Sequence, residues 1–134
     1  MRLVDASSRR VKIAIVAAVA ALPAVGCAGQ DAQVQHSAAY DLYSIDHNGG
    51  PASENDPALA PYKDAIARLH RGCTNPDDEL RDAAFAVADK VRKDTGRTVT
   101  TLQVLRAVAL GIGTRPDDCN RAFALVGVLI ENNS

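Results

Sequence analysis

The stretch Asn75-Pro-Asp-Asp-Glu-Leu-Arg-Asp-Ala-Ala-Phe-Ala-Val-Ala-Asp-Lys-Val-Arg-Lys-Asp-Thr-Gly96 has the start, the periodicity and the stop of one long helix. Asn75 suits an N-cap and Pro76 suits the first helical position, and three acidic residues then favour the positive end of the helix dipole. Gly96 is well placed to end the helix. This stretch predicts an all-α fold, because its apolar residues recur along one helical face. These residues are Leu80, Ala84, Val87, Ala88 and Val91.

Three shorter segments on either side show the same periodicity. One runs from about Pro61 to Arg71. Another starts near Thr100, which forms a capping-box pattern with Gln103. The last starts around Pro116 and has the richest apolar face of the four: Cys119, Ala122, Phe123, Val126, Leu129 and Ile130. Because the intervening loops are only about four to six residues long, we predict a compact all-α bundle of about four helices over residues 57–134.

Residues 28–56 show little periodicity and are rich in Ala, Gln, Ser, Asp, Asn and Gly. Such a composition buries too little apolar surface to offset the entropy of ordering the chain. We therefore expect a flexible spacer before the bundle. Its one apolar cluster (Tyr40, Leu42, Tyr43 and Ile45) is interpreted as irregular, with a short strand or docking on the domain as the alternatives.

The first 26 residues have the three parts of a secretory signal peptide. Basic residues precede an apolar run over Ile13–Leu22, and small residues follow it. The run has about ten residues, whereas a membrane-spanning helix needs roughly 20. Residues 1–26 are therefore predicted to be a cleaved signal peptide.

The end of this segment, Ala24-Val25-Gly26-Cys27, resembles the lipobox of bacterial lipoproteins, although Leu is the preferred residue where this chain has Ala24. The resemblance covers about the first 27 residues. It implies cleavage between Gly26 and Cys27 and attachment of a diacylglyceryl group to the Cys27 thiol, with acylation of the new amino terminus in many bacteria. It also implies a mature protein held by lipid at the extracytoplasmic face of a cell membrane, with residues 27–56 as the lipidated N-terminus and tether.

Removal of residues 1–26 leaves 11 Lys and Arg residues against 15 Asp and Glu residues, a net charge of −4. A mildly acidic domain is a poor binder of nucleic acid and is weakly repelled by anionic lipid. The chain also has no Trp and only two Phe, so aromatic platforms for stacking bases are missing. We therefore expect no nucleic-acid partner, and we expect an envelope protein or a lipid as the partner.

The two remaining cysteines, Cys73 and Cys119, are an even pair in a chain predicted to be exported, and disulfides persist outside the cytoplasm. A bond between them closes a loop of about 47 residues and contributes on the order of 4 kcal/mol. We expect a disulfide, with two separate buried thiols or a metal pair as the alternatives. The metal pair is disfavoured because no CxxC or HxxxH spacing accompanies these cysteines.

No catalytic motif accompanies these features, since GxSxG, HExxH and Gly-rich phosphate-loop patterns are all missing from the sequence. His70 is interpreted as a surface residue near a helix end, and the acidic runs Asp77–Glu79 and Asp117–Asp118 as helix-start charges. We therefore expect no enzymatic activity, no cofactor and no bound metal.

Together these features predict a membrane-anchored cell-envelope lipoprotein whose helical domain is a binding or interaction module. The candidate binding surface is a groove between the third and fourth helices, although such residues are more often core: Leu105, Val108, Leu125 and Leu129. The alternatives are a phage-type exclusion lipoprotein and a small envelope enzyme or enzyme inhibitor. The enzyme alternative requires an exposed polar cluster, such as Asp77 and Asp78 with Arg81.

Overall fold

The computed structural model describes residues 34–113 and 115–133. These residues form five α-helices and one short 3₁₀ turn, and no strand. The predicted all-α bundle is confirmed. The predicted signal and lipidation residues, Gly26 and Cys27 among them, lie outside the described residues. In chain order the elements are α1 (Ala38–His47), the 3₁₀ turn (Pro57–Leu59), α2 (Ala60–Leu69), α3 (Asp77–Thr95), α4 (Thr101–Gly111) and α5 (Asn120–Asn132).

Helix α1 lies within residues 27–56, for which the sequence predicts a flexible tether. Its Ala38, Ala39 and Leu42 are buried in the core, and the Ser37 hydroxyl caps its first turn by accepting a hydrogen bond from the Tyr40 N–H. The tether prediction is therefore wrong for residues 38–47. The compact unit begins at Gln35 instead of residue 57, because packing against other helices supplies the stability that the composition of this segment lacks.

The core is formed around α4, which packs against all four other helices, while α3 also packs against α1 and α5, and α1 against α2. Each helix contributes a stripe of apolar side chains to it, as the periodicity predicts. The largest of the fully buried apolar side chains are Phe123, Leu42, Leu59, Leu69, Leu80, Leu105, Val91, Val104 and Val108.

The helix ends follow the predicted signals in two places and depart from them in two others. The Thr100 and Gln103 capping box is present at the start of α4, and Gly96 ends α3 in the left-handed region, with φ of 72°. By contrast, Pro76 occupies the N-cap position of α3, where Asn75 was expected. Helix α5 begins at Asn120 instead of near residue 116.

Candidate functional site

Five arginines on one side of the domain form no hydrogen bond or ion pair with another described residue. Two lie at the end of α2 or just after it, one lies on α4, one follows α4 and one lies in the first turn of α5: Arg68, Arg71, Arg106, Arg115 and Arg121. The cations of α3 behave differently, because each of them is paired within the protein. Arg81 pairs with Asp41 and Asp82, Lys90 with Asp94 and Glu131, and both Arg92 and Lys93 with Asp89.

These five arginines line three adjoining surface depressions that share lining residues, and we call the three together the arginine groove. Its first part, about 390 Å³ in volume, lies between α2 and α4 and contains Arg68 and Arg106. Its middle part shares Arg68 and Ala109 with the first and adds Arg71. Its last part shares Ile112 and Gly113 with the middle and reaches the start of α5. The last part is lined by Arg115, Arg121, Asp117, Asp118 and Leu125, among others.

Charge is segregated between this groove and the rest of the domain. The groove lining has five arginines and three acids, Asp64, Asp117 and Asp118. The rest of residues 34–133 has six Lys and Arg residues against eleven Asp and Glu residues. The potential is therefore locally positive along the groove although the domain as a whole is acidic, and a local field of this kind attracts anions.

Two of the three groove acids are engaged in starting α5. The Asp118 carboxylate accepts hydrogen bonds from the Asn120 N–H at 2.8 Å and from the Asn75 side-chain amide at 3.2 Å. The bond from the Asn120 N–H, followed by the one from Asn75, lowers the pKa of Asp118 below its ordinary value. The Asp117 carboxylate accepts a hydrogen bond from the Asp118 N–H at 2.8 Å. Both carboxylates therefore already accept hydrogen bonds within the protein, whereas no described residue accepts one from the side chains of the groove arginines.

The predicted Cys73–Cys119 disulfide is present, with the two Cα atoms 5.4 Å apart. It joins the loop after α2 to the start of α5, at the end of the groove that contains Arg115 and Arg121. Beside it, the Asp117 N–H donates to the Gly72 carbonyl at 3.1 Å and the Thr74 N–H donates to the Asp117 carbonyl at 2.9 Å. The bond therefore holds together two loops that carry groove residues.

Gly72 allows these two loops to approach each other closely. A Cβ atom at this position would lie 2.4 Å from the Gly113 carbonyl oxygen. The sequence predicts a helix up to about Arg71, but α2 ends at Leu69, with His70 as its C-cap, so Gly72 lies beyond the helix end. The need for glycine here is therefore steric, since no side chain fits between the two backbones.

Asn75 is buried next to the disulfide and forms hydrogen bonds with the start of α5. Its side-chain oxygen accepts a hydrogen bond from the Cys119 N–H at 2.8 Å, and its amide nitrogen donates to Glu79 and Asp118. It thereby binds the start of α5 instead of capping α3 as predicted. Local sequence cannot distinguish these roles, because Cys119 lies 44 residues further along the chain.

The binding groove predicted between the third and fourth helices does not form from the four leucine and valine positions named for it. Leu105 and Val108 are fully buried in the core. Leu125 and Leu129 are 57% and 60% exposed, on the outer face of α5. The prediction is wrong because Leu105 and Val108 of α4 pack into the core, whereas Leu125 and Leu129 lie on a part of α5 that the neighbouring helices leave largely exposed.

The predicted polar cluster also separates in the structure. Arg81 donates to Asp41 at 3.0 Å and to Asp82 at 2.8 Å, and not to Asp77 or Asp78. Asp77 instead contacts the imidazole of His70. Both partners of that contact are largely exposed, with side chains 42% and 59% accessible, as expected for a surface pair near two helix ends.

Within residues 34–113 and 115–133, no group of three or more His, Cys, Asp or Glu side chains is arranged to hold a metal ion. In the same part of the chain, no helix is both long enough and apolar enough to cross a bilayer.

Only the tertiary structure reveals the arginine groove. Its arginines come from positions 68 to 121 and meet only when α2, α4 and α5 pack together. The paired cations of α3 contrast with this, because several of their partners lie three or four positions away on the same helix. The net charge of −4 conceals the groove, since it averages over the two sides of the domain.

Comparison of the chain with protein-family models, with curated proteins and with solved structures gives no match. The case for a function therefore rests on the lipobox resemblance and on the arginine groove.

Proposed function

We propose that the protein is an exported lipoprotein, anchored to a cell membrane through Cys27, whose five-helix domain is a binding module for an anionic partner. The observation that carries the binding role is the arginine groove, with five guanidinium groups that form no ion pair with a carboxylate of the described residues. The anchor is supported by the sequence Ala24-Val25-Gly26-Cys27 at the end of a short apolar run.

The arrangement of the arginines favours recognition of phosphate or carboxylate groups. A guanidinium has five N–H donors in a planar fork, which matches the two oxygens of such groups. An arginine that already has a carboxylate partner must lose it to bind a ligand, whereas the groove arginines have none to lose. Their spread over three connected depressions suits an extended anion better than a small one.

The anchor is tested by intact-mass analysis of the protein extracted from membranes of a bacterial host. We expect a chain that begins at Cys27 and carries added acyl mass. The matched variant Cys27→Ala is expected to carry no acyl group and to leave the membrane fraction or retain residues 1–26. A wild-type mass without any acyl addition contradicts the anchor and leaves the groove to be tested separately.

The groove is tested by retention of the detergent-solubilised protein on immobilised polyphosphate in a salt gradient. We expect the triple variant Arg68→Gln/Arg71→Gln/Arg106→Gln to elute at clearly lower salt than the wild type, because fewer counterions are released on binding. The control Lys90→Gln/Arg92→Gln/Lys93→Gln removes the same charge from α3, where the cations are paired. Equal shifts in both variants would show that net charge, and not the groove, determines retention.

A further inference from the structure

We infer that the anionic partner of the arginine groove is the surface of a phospholipid bilayer, so that the domain lies on the membrane to which the chain is anchored. This inference rests on the proposed function. Besides its charge, the groove has exposed leucines at two places along its length, and a soluble anion gives those leucines nothing to contact.

Leu110 is the most exposed large apolar side chain among the described residues, at 88%, and it lines the first part of the groove beside Arg68 and Arg106. Leu125 is 57% exposed and lines the last part beside Arg115 and Arg121. Each end of the groove thus combines a leucine with two arginines.

The apolar surface continues from Leu125 along the outer face of α5. Val128 and Leu129 follow it at helical spacings of three and four, and they are 52% and 60% exposed. Residues at such spacings share one face of a helix. Helix α5 thus has a buried face centred on Phe123 and a second apolar face that no described residue covers.

Arginine beside exposed leucine is a combination that favours interfacial membrane binding. Leucines enter the boundary between headgroups and acyl chains, and the long arginine side chains place their guanidinium groups at the level of the phosphates. An acidic protein partner would also satisfy the charges. The bilayer is favoured because its surface has many phosphate groups next to an apolar layer. The groove likewise has arginines next to exposed leucines at both of its ends.

The shortness of the chain between anchor and domain supports the same partner. The compact unit begins at Gln35, only eight residues after Cys27. Eight residues span at most about 28 Å even when fully extended. A lipid-anchored domain therefore stays within this distance of the headgroups, where the effective concentration of the bilayer is high.

The experiment uses the full lipidated protein reconstituted into vesicles of phosphatidylcholine alone or of phosphatidylcholine mixed with phosphatidylglycerol. Phenylglyoxal labels accessible arginines, and peptide mass spectrometry measures the rate at each position. We expect labelling at Arg68, Arg106 and Arg121 to fall about tenfold in the anionic vesicles. Labelling at Arg92 on α3 is the internal control and is expected to stay unchanged, and high salt is expected to restore labelling at the groove.

A second variant separates the bilayer from other anions. Val128→Gln/Leu129→Gln removes apolar contacts on the outer face of α5 and leaves the lining of the groove unchanged, so protection in anionic vesicles is expected to weaken while retention on polyphosphate persists. Equal labelling of groove arginines in neutral and anionic vesicles would overturn the bilayer inference. If polyphosphate retention through the groove survived that result, the proposed binding surface would stand with a soluble anion or an acidic protein as its partner.

Discussion

Asp46, in the last turn of α1, connects three helices through one carboxylate. It accepts hydrogen bonds from the Tyr62 hydroxyl at 2.8 Å and from the backbone N–H groups of Thr101 and Leu102 at 2.7 and 3.2 Å. Those N–H groups belong to the first turn of α4. The N–H groups of a first turn have no hydrogen-bond acceptor within their own helix. A side chain from outside that helix thus satisfies its free donors and places a negative charge at the positive end of its dipole.

We expect Asp46→Ala to lower the free energy of unfolding by about 2 kcal/mol, because it leaves partly buried donors without an acceptor. Urea denaturation followed by circular dichroism measures this. Asp82→Asn is a suitable control, since Asp82 forms only an exposed ion pair with Arg81 and such pairs contribute little. Comparable losses in the two variants would contradict the role assigned to Asp46.

Tyr62 makes stability sensitive to alkaline pH. Burial, followed by the hydrogen bond to Asp46, raises the pKa of Tyr62 above its ordinary value of 10.0. The folded state therefore holds the phenol proton more tightly than the unfolded chain. The resulting stabilisation is complete below about pH 10 and is lost as pH rises through the pKa of the folded state.

We therefore expect the free energy of unfolding to fall above pH 10, and to fall less steeply in Tyr62→Phe, which has no phenol proton to lose. Denaturation at a series of alkaline pH values measures the two slopes, and the phenolate absorbance reports the ionisation directly. Parallel slopes would argue against a raised pKa at Tyr62.

At the scale of elements, α5 has an unusual interior residue. Gly127 is buried in the middle of this helix, where glycine is less favourable than alanine. A Cβ atom there would lie 3.5 Å from the nearest Val87 methyl carbon, which is ordinary van der Waals contact. The packing of α5 on α3 thus has room for a methyl group.

We expect Gly127→Ala to raise the free energy of unfolding by about 0.5–1 kcal/mol, because it reduces the conformational entropy of the unfolded chain. Thermal and urea denaturation both measure the change. Gly49→Ala, outside a helix, places its Cβ atom where nothing lies within 4 Å, so it measures the contribution of the unfolded chain without a packing contact. A loss of stability in Gly127→Ala would mean that the contact between α3 and α5 is tighter than described.

At the scale of the whole molecule, the disulfide closes a separation of 46 residues. It links the end of the α2 region to the start of α5 and so constrains the helices between them. A bond across a separation of this length contributes about 4 kcal/mol, which is a large share of the roughly 5–15 kcal/mol by which a domain is stable.

We expect Cys73→Ser/Cys119→Ser to lower the free energy of unfolding by about 4 kcal/mol, mainly because the unfolded chain without the bond has more conformational entropy. Denaturation of the variant and of the wild type with and without reductant measures this, and the reduced wild type should match the variant. An unchanged free energy of unfolding would mean that the unfolded chain is already constrained in this region.

Local chemistry made four of the five helices predictable. Thr100, Gln103 and Gly96 act through neighbours within four positions, so their roles follow from the sequence by itself. The pairing of Cys73 with Cys119 was also predicted, since a chain that is predicted to be exported and has two cysteines besides the predicted lipidation site has few alternatives. The predictions at Cys27 and Gly26 remain predictions, because they concern residues that the structure does not describe.

Tertiary packing alone decided the rest. Helix α1 is stable because Leu42 and Asp46 meet partners that lie 16 to 59 residues away. The arginine groove exists because α2, α4 and α5 bring together arginines that are separated in the chain by up to 53 positions. Composition and periodicity report what a segment contributes to its own neighbours. They cannot report a charge distribution or a docking contact, because both depend on distances in space that are set only when the helices pack.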